Sequence, residues 1–170
     1  TWFDYNYPEA GVDTPNHFYS YSFAPNTRWN NYFSKRAEIW KYARDVAERH
    51  DIISNIEFST EVSSLHWNND SNSWNAVIES NGTTRSEEFP VVITAVGQLN
   101  RPNLAPARGI ENFTGSWFHS AHWNHSVDLT GKRVAVIGTG ASAMQFMRTV
   151  AASAGEVTIY QRSPQWIRPS

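Results

Sequence analysis

The order of apolar and polar positions divides the chain into stretches of different character. Residues 1 to about 33 carry few aliphatic side chains and many Pro, Asn and Tyr, and neither a helical nor a strand period survives there. This reads as a long ordered loop, and loops of that length inside a compact domain are usually functional. From Ser34 to His50 the pattern turns helical. Ile39, Trp40, Ala43, Val46 and Ala47 fall on one face, and Ser34 is the expected N-cap.

A β meander is predicted next. Asn55 to Phe58 and Glu61 to Trp67 alternate like strands, and Asn68 to Asn72 is a turn cluster. Trp74 to Ser80 reads as a further strand. Asn81-Gly82 is a two-residue hairpin signal leading into Thr83 to Glu88. After Pro90, the apolar run Val91 to Ala95 suits a buried strand.

Residues 97 to 112 are rich in Pro, Asn and Gly and mark a candidate domain boundary. A connector with three His and two Trp follows, from 113 to 130. The pattern then becomes β-α-β: Arg133 to Ile137 as a buried parallel strand, Ala141 to Ala152 as a helix, and Val157 to Tyr160 as a second strand.

Composition narrows the function classes. The 170 residues suit one domain of ordinary size, and 40% hydrophobic content suits a packed core. A net charge of −2 implies no nucleic-acid or membrane-surface partner. No apolar run reaches the length of a membrane span. Cysteine is absent, which excludes disulfides, thiolate metal sites and a Cys nucleophile and suits a cytoplasmic protein. His119, His122 and His125 lie in a Trp-rich connector without a Cys, and no metal site is expected there. The chain opens mid-loop at Thr1 and closes just after a strand, and it reads as an internal stretch of a longer enzyme.

The candidate chemistry lies in Gly138-Thr139-Gly140-Ala141-Ser142-Ala143. It follows an apolar strand and opens a helix, the context a dinucleotide-binding turn requires. Gly138 permits a tight turn, Gly140 lets backbone approach a pyrophosphate, and Ala143 keeps helix and strand close. The helix N-terminus offers free N–H groups and partial positive charge, and Ser142 adds a hydroxyl. NAD sites place Asp or Glu at the end of the next strand. Here that strand ends Tyr160-Gln161-Arg162-Ser163. Arg162 offers a guanidinium fork suited to a 2′-phosphate, and Ser163 offers a further donor, so the expected cofactor is NADP(H).

Two further segments carry a family resemblance. Phe113, Gly115, His119 and Trp123 match F-x-G-x-x-x-H-x-x-x-W, with Asn124 departing from the Pro or Asp that follows. Trp2, Tyr7, Pro8 and Asp13 match the spacing of an N-terminal motif, W-x-x-x-x-[FY]-P-[GM]-x-x-x-D, with Glu9 in place of Gly or Met. Phe18 to Phe23 looks like an aromatic run beside a flavin, and Ala95-Val96-Gly97 resembles an A-T-G linker motif. Together these resemble flavin-dependent class B Baeyer–Villiger monooxygenases, and Gly138 to Gln145 with Tyr160 to Trp166 resemble the 4-hydroxyacetophenone monooxygenase type.

The resemblance implies an α/β fold with two dinucleotide-binding, Rossmann-like domains for FAD and NADP and a small β meander. Residues 1–103 would then be the C-terminal part of the first FAD-binding segment, 104–130 the linker with its fingerprint, and 131–170 the start of the NADP domain. It implies FAD contacts from Thr1, Trp2, Phe3, Asp4, Asp13, Tyr19 and Val62. NADP contacts fall to Gly11, Val12 and Asp13, to the turn Gly138, Thr139, Gly140, Ala141, Ser142 and Ala143, and to Gln145, Arg162 and Ser163. It implies a supporting catalytic role for Asp13, which would position the family's catalytic Arg, a residue expected outside this chain. The implied reaction uses NADPH to reduce FAD, O2 to form a C4a-peroxyflavin, and a ketone as substrate, giving an ester or lactone. His119 is implied as a linker residue rather than a base, and Trp123 as a packing anchor. A flavin monooxygenase acting on nitrogen or sulfur, and a non-catalytic NADP(H)-binding module, are the alternatives.

Overall fold

A computed structural model describes residues 1–99, 101–103 and 108–166. The predicted start of the linker at residue 104 lies outside the described residues. Two compact units emerge, one of residues 1–46 with 99–170 and one of residues 47–98.

In the first unit, strand β4 (Arg133–Ile137) and strand β5 (Glu156–Tyr160) pair in parallel, joined by helix α2 (Ala141–Ser153). Ala143, Phe146 and Val150 recur at helical spacing and bury one face of α2 against Val136. Tyr7 and Ala10 of the N-terminal loop complete this cluster. The loop thus shares a core with a unit more than a hundred residues further on. The prediction of a buried β4 holds for one face only. Val136 points to α2, whereas Ile137, one residue on, turns the other way and is 67% exposed.

Helix α1 (Arg36–Arg49) buries Ile39, Tyr42 and Val46. Two expectations are corrected here. Trp40 is on the outer face, 39% exposed, with the Arg44 guanidinium 5.8 Å from its ring centre; Tyr42 takes the inner place beside Trp29. Ser34 does not cap the helix by accepting a backbone N–H. Its hydroxyl donates to the Glu38 carboxylate, and the Lys35 carbonyl receives the Glu38 and Ile39 amides. The helix ends in a left-handed residue, Asp51, with the Ile52 amide bonded to the Ala47 carbonyl and the Asp51 amide to that of Glu48. That is a Schellman ending with Asp where Gly is usual.

The second unit holds an antiparallel meander, β1 (Thr60–Asn68), β2 (Ser73–Ser80) and β3 (Thr83–Phe89). Asn81 and Gly82 both have positive φ, the I′ hairpin their sequence predicts. A bulge interrupts β1 between Val62 and Ser64.

Two predicted strands are absent. Residues 53–55 form a 3-10 turn instead of starting a strand, because Ser54 Oγ and Asn55 Nδ2 both donate to the Asp51 carbonyl and hold the chain in a turn. Val91 to Ala95 pairs with no strand among the described residues, and Ile93 is 86% exposed. An apolar run becomes a strand only where a neighbour accepts its backbone hydrogen bonds.

Candidate functional site

The turn between β4 and α2 has the geometry of an anion cradle. Gly138 has φ of 101°, a left-handed conformation that disfavours any side chain. Its amide donates to the Tyr160 carbonyl at 2.8 Å, which carries the parallel pairing into the turn. Gly140 differs: its φ is −67°, and a Cβ built there would meet no protein atom within 4 Å. The fold does not require glycine at 140.

Helix α2 begins at Ala141 with no side chain capping it. The amides of Ala141, Ser142 and Ala143 have no intrahelical acceptors and face the turn. Ala143 is buried in the core cluster, as close helix–strand packing demands. Gln161, just past β5, donates from Nε2 to Thr139 Oγ1 at 3.3 Å and so fastens the strand end to the turn. Arg162 and Ser163 follow, both exposed. Arg162 forms no ion pair among the described residues. Free amides, an open glycine and an unpaired guanidinium fit a phosphorylated dinucleotide.

The N-terminal loop runs to the same helix. Glu9 adopts φ of 64°, and its carboxylate pairs with Lys35 at 2.8 Å. The Lys35 ammonium, by hydrogen bonding first and by charge second, holds the Glu9 carboxyl below its ordinary value. Residues 10–12 then run antiparallel to 34–36: the Val12 amide donates to the Ser34 carbonyl at 3.1 Å, and the Arg36 amide to that of Ala10 at 2.7 Å. A Cβ on Gly11 would stand 2.7 Å from the Ser34 carbonyl oxygen, so only glycine permits this approach. Gly11 itself turns its amide and carbonyl the other way, to Gln145 of α2. Val12 is buried, and Asp13, next in line, is exposed.

The residues expected along a flavin are partly gathered. Trp2 Nε1 donates to Tyr19 Oη at 3.1 Å, with the rings edge to face. Phe3 is exposed and packs on Trp40, and its carbonyl accepts from Arg36 at 2.6 Å. Thr1 and Asp4 are both exposed. Val62 belongs to the other unit, exposed at the β1 bulge.

In the connector, the Phe113 ring folds over Gly115, whose missing Cβ would stand 2.6 Å from it. His119 opens a 3-10 turn (Ser120–His122), its Nδ1 accepting from the Ala121 amide at 3.1 Å. That use leaves the proton on Nε2 when the ring is neutral. Trp123 packs between Phe118 and Phe146, with ring centres 5.2 and 5.1 Å away, and so anchors the connector to α2. Sequence reading missed Tyr7, Asn16, Ser34 and Gln161 as supports. Of these, only the Tyr-Pro spacing of the N-terminal motif offered any signal.

Fold and site define a dinucleotide-binding α/β protein. More particularly, the chain belongs to the flavin-binding monooxygenase-like family, which matches residues 13–169. It is 39% identical over 170 residues to a Baeyer-Villiger monooxygenase of Streptomyces coelicolor, covering 99% of this chain and 32% of that protein. It is 41% identical over 169 residues to an uncharacterised monooxygenase of Mycobacterium bovis, covering 99% and 33%. Its fold matches that of OTEMO crystallised with FAD and NADP, with a TM-score of 0.87, 29% identity, and coverage of 99% of this chain and 33% of that one. It also matches cyclohexanone monooxygenase from Rhodococcus sp. Phi1 bound to NADP+, with a TM-score of 0.84, 31% identity, and coverage of 99% and 32%. The chain spans about a third of the length of these relatives. Among the described residues, no helix is long and apolar enough to cross a membrane.

Proposed function

We propose that this chain is part of an FAD- and NADPH-dependent monooxygenase that inserts one oxygen atom of O2 beside a ketone carbonyl, giving an ester or lactone. One observation carries the reading. The open turn at Gly140, the unpaired Arg162 and the fingerprint Trp123 all converge on α2 and its adjoining strand. Relatives named Baeyer-Villiger monooxygenase, and solved neighbours holding FAD and NADP, support it.

In this reading Gly138 to Ala143 and the free amides of α2 hold the pyrophosphate, and Arg162 with Ser163 holds the 2′-phosphate. Trp2, Phe3 and Tyr19 line the flavin, and Asp13 presents a carboxylate toward the reacting centre. Bound FAD, reduced by NADPH, supplies the oxygen activation. The protein's own work is to orient the two cofactors and exclude water.

The test is to supply the complete enzyme with NADPH, O2 and a panel of ketones, amines and sulfides, following NADPH oxidation and product mass. Ester or lactone from a ketone is the expected result. Oxygenated amines or sulfides with no ester from any ketone would replace this reading with a nitrogen- or sulfur-oxidising one.

A further inference from the structure

The Gln145 carboxamide stands where a neighbouring β-strand would stand. Ala10 and Val12 direct their backbone groups to residues 34–36, as alternate residues of a strand do. Gly11, between them, directs its amide and carbonyl to the opposite side. Both meet one side chain: the Gly11 N–H donates to Gln145 Oε1 at 3.2 Å, and Gln145 Nε2 donates to the Gly11 carbonyl at 2.9 Å. The buried Tyr7 hydroxyl donates to the same Oε1 at 2.9 Å. Three of the carboxamide's four hydrogen-bonding positions are therefore taken by the N-terminal loop.

Gln145 lies on the first turns of α2, the helix whose N-terminal amides face the nucleotide turn. Asp13 lies two residues beyond Gly11. We infer that Gln145 is a positioning residue that acts through Gly11: it ties the loop bearing Asp13 to the nucleotide helix and so sets the Asp13 carboxylate relative to the bound dinucleotide. It does not serve chiefly as a nucleotide ligand. The inference rests on the proposed function only for what Asp13 does; the clamp itself stands on the hydrogen bonds.

The test uses the complete flavin-loaded enzyme carrying Gln145→Met, which keeps length and helix propensity but removes all three bonds. Amide hydrogen exchange at Gly11 should accelerate at least tenfold. KM for NADPH should stay within threefold of wild type, while kcat for oxygenation falls and the share of NADPH oxidation lost as hydrogen peroxide rises. Tyr7→Phe, which leaves the Gly11 bonds in place, should keep Gly11 exchange within threefold. Unchanged exchange at Gly11 together with a tenfold rise in NADPH KM would overturn the inference and make Gln145 a nucleotide ligand. Should Gln145→Met fail to fold, Gln145→Leu carries the same test, since it too removes all three bonds. Accelerated Gly11 exchange with NADPH KM kept within threefold supports the clamp; unchanged exchange or a tenfold KM rise overturns it. An enzyme that oxygenates no ketone would defeat the proposed function and leave the exchange result to stand.

Discussion

Asn16 brackets Ser34 on two sides, donating from Nδ2 to its Oγ at 2.6 Å while Oδ1 accepts the Ser34 amide at 2.9 Å. Both residues are buried, Ser34 completely. Asn16 Nδ2 also donates to the Asn31 carbonyl, and the Ser34 hydroxyl donates to Glu38. The segment carrying Asp13 is thereby held at Gly11 by Gln145 and at Asn16 by Ser34.

Because the bonds are unequally shared, the two residues should respond unequally to truncation. Asn16→Ala strands the Ser34 amide in the interior and also removes the bond to the carbonyl of the exposed Asn31. Unpaired buried groups cost about 1–3 kcal/mol each. Ser34→Ala leaves Asn16 bonded to the Asn31 carbonyl and to the residue 34 amide, and should cost about 1 kcal/mol. Denaturant unfolding of both variants should show Asn16→Ala clearly the less stable, and a double-mutant cycle should show the sites coupled. Equal losses would contradict the shared network.

Gly138 and Gly140 separate folding from ligand binding. Gly138→Ala places a side chain at φ of 101° and should lower stability by about 1–2 kcal/mol. Gly140→Ala meets no protein atom and an ordinary φ, so its unfolding midpoint should stay close to wild type. Its NADP+ affinity, measured by calorimetry, should nevertheless fall at least tenfold, because the added Cβ occupies the ligand's approach. A stable Gly140→Ala with undiminished affinity would remove the turn from the nucleotide site.

What sequence reading reached and what it missed divide along the range of the interactions. The β-α-β unit declares itself within thirty residues, through an apolar strand, a glycine spacing and a helical period, and the structure follows it closely. The Asn81-Gly82 hairpin is likewise a two-residue property. The Gln145–Gly11 clamp joins residues 134 apart and leaves no local pattern. Trp40 and Tyr42 exchange roles because both lie near the helix face boundary, and packing with Trp29 decides between them. Residues 55–58 alternate like a strand, yet side-chain bonds to the Asp51 carbonyl prevail over that period. Supports of the site were therefore harder to read than the turn they support.

Glu9 should reveal a strained position. Its left-handed backbone costs a non-glycine residue about 1–2 kcal/mol, and the Lys35 pair that opposes this is exposed and correspondingly weak. Glu9→Ala keeps the strain and loses the pair; Glu9→Gly loses both. Glu9→Gly should accordingly be more stable than Glu9→Ala by about 1 kcal/mol in thermal unfolding. The pH dependence has a definite sign. Because Lys35 holds the Glu9 carboxyl below its ordinary value in the folded chain, the pair's contribution is complete above that ordinary value and is lost as pH falls through the lower, folded one. Lys35→Met should flatten this part of the acid limb.

Arg162 supplies the sharpest test of cofactor choice. It follows β5 by two residues, beside the Gln161–Thr139 bond, and no carboxylate neutralises it among the described residues. The neighbouring positions, Gln161 and Ser163, provide no acidic group for a ribose 2′-hydroxyl. A charge-assisted bond to a 2′-phosphate contributes about 1.5–3 kcal/mol, or roughly 10- to 150-fold in affinity. Arg162→Ala should raise KM for NADPH by that factor and leave KM for NADH nearly unchanged, so that the preference between the two collapses. Arg162→Lys should recover only part of it, since a point charge replaces a planar fork. Steady-state kinetics of the complete enzyme with both cofactors decides the matter: parallel losses for NADPH and NADH would show that Arg162 supports the turn without reading the phosphate.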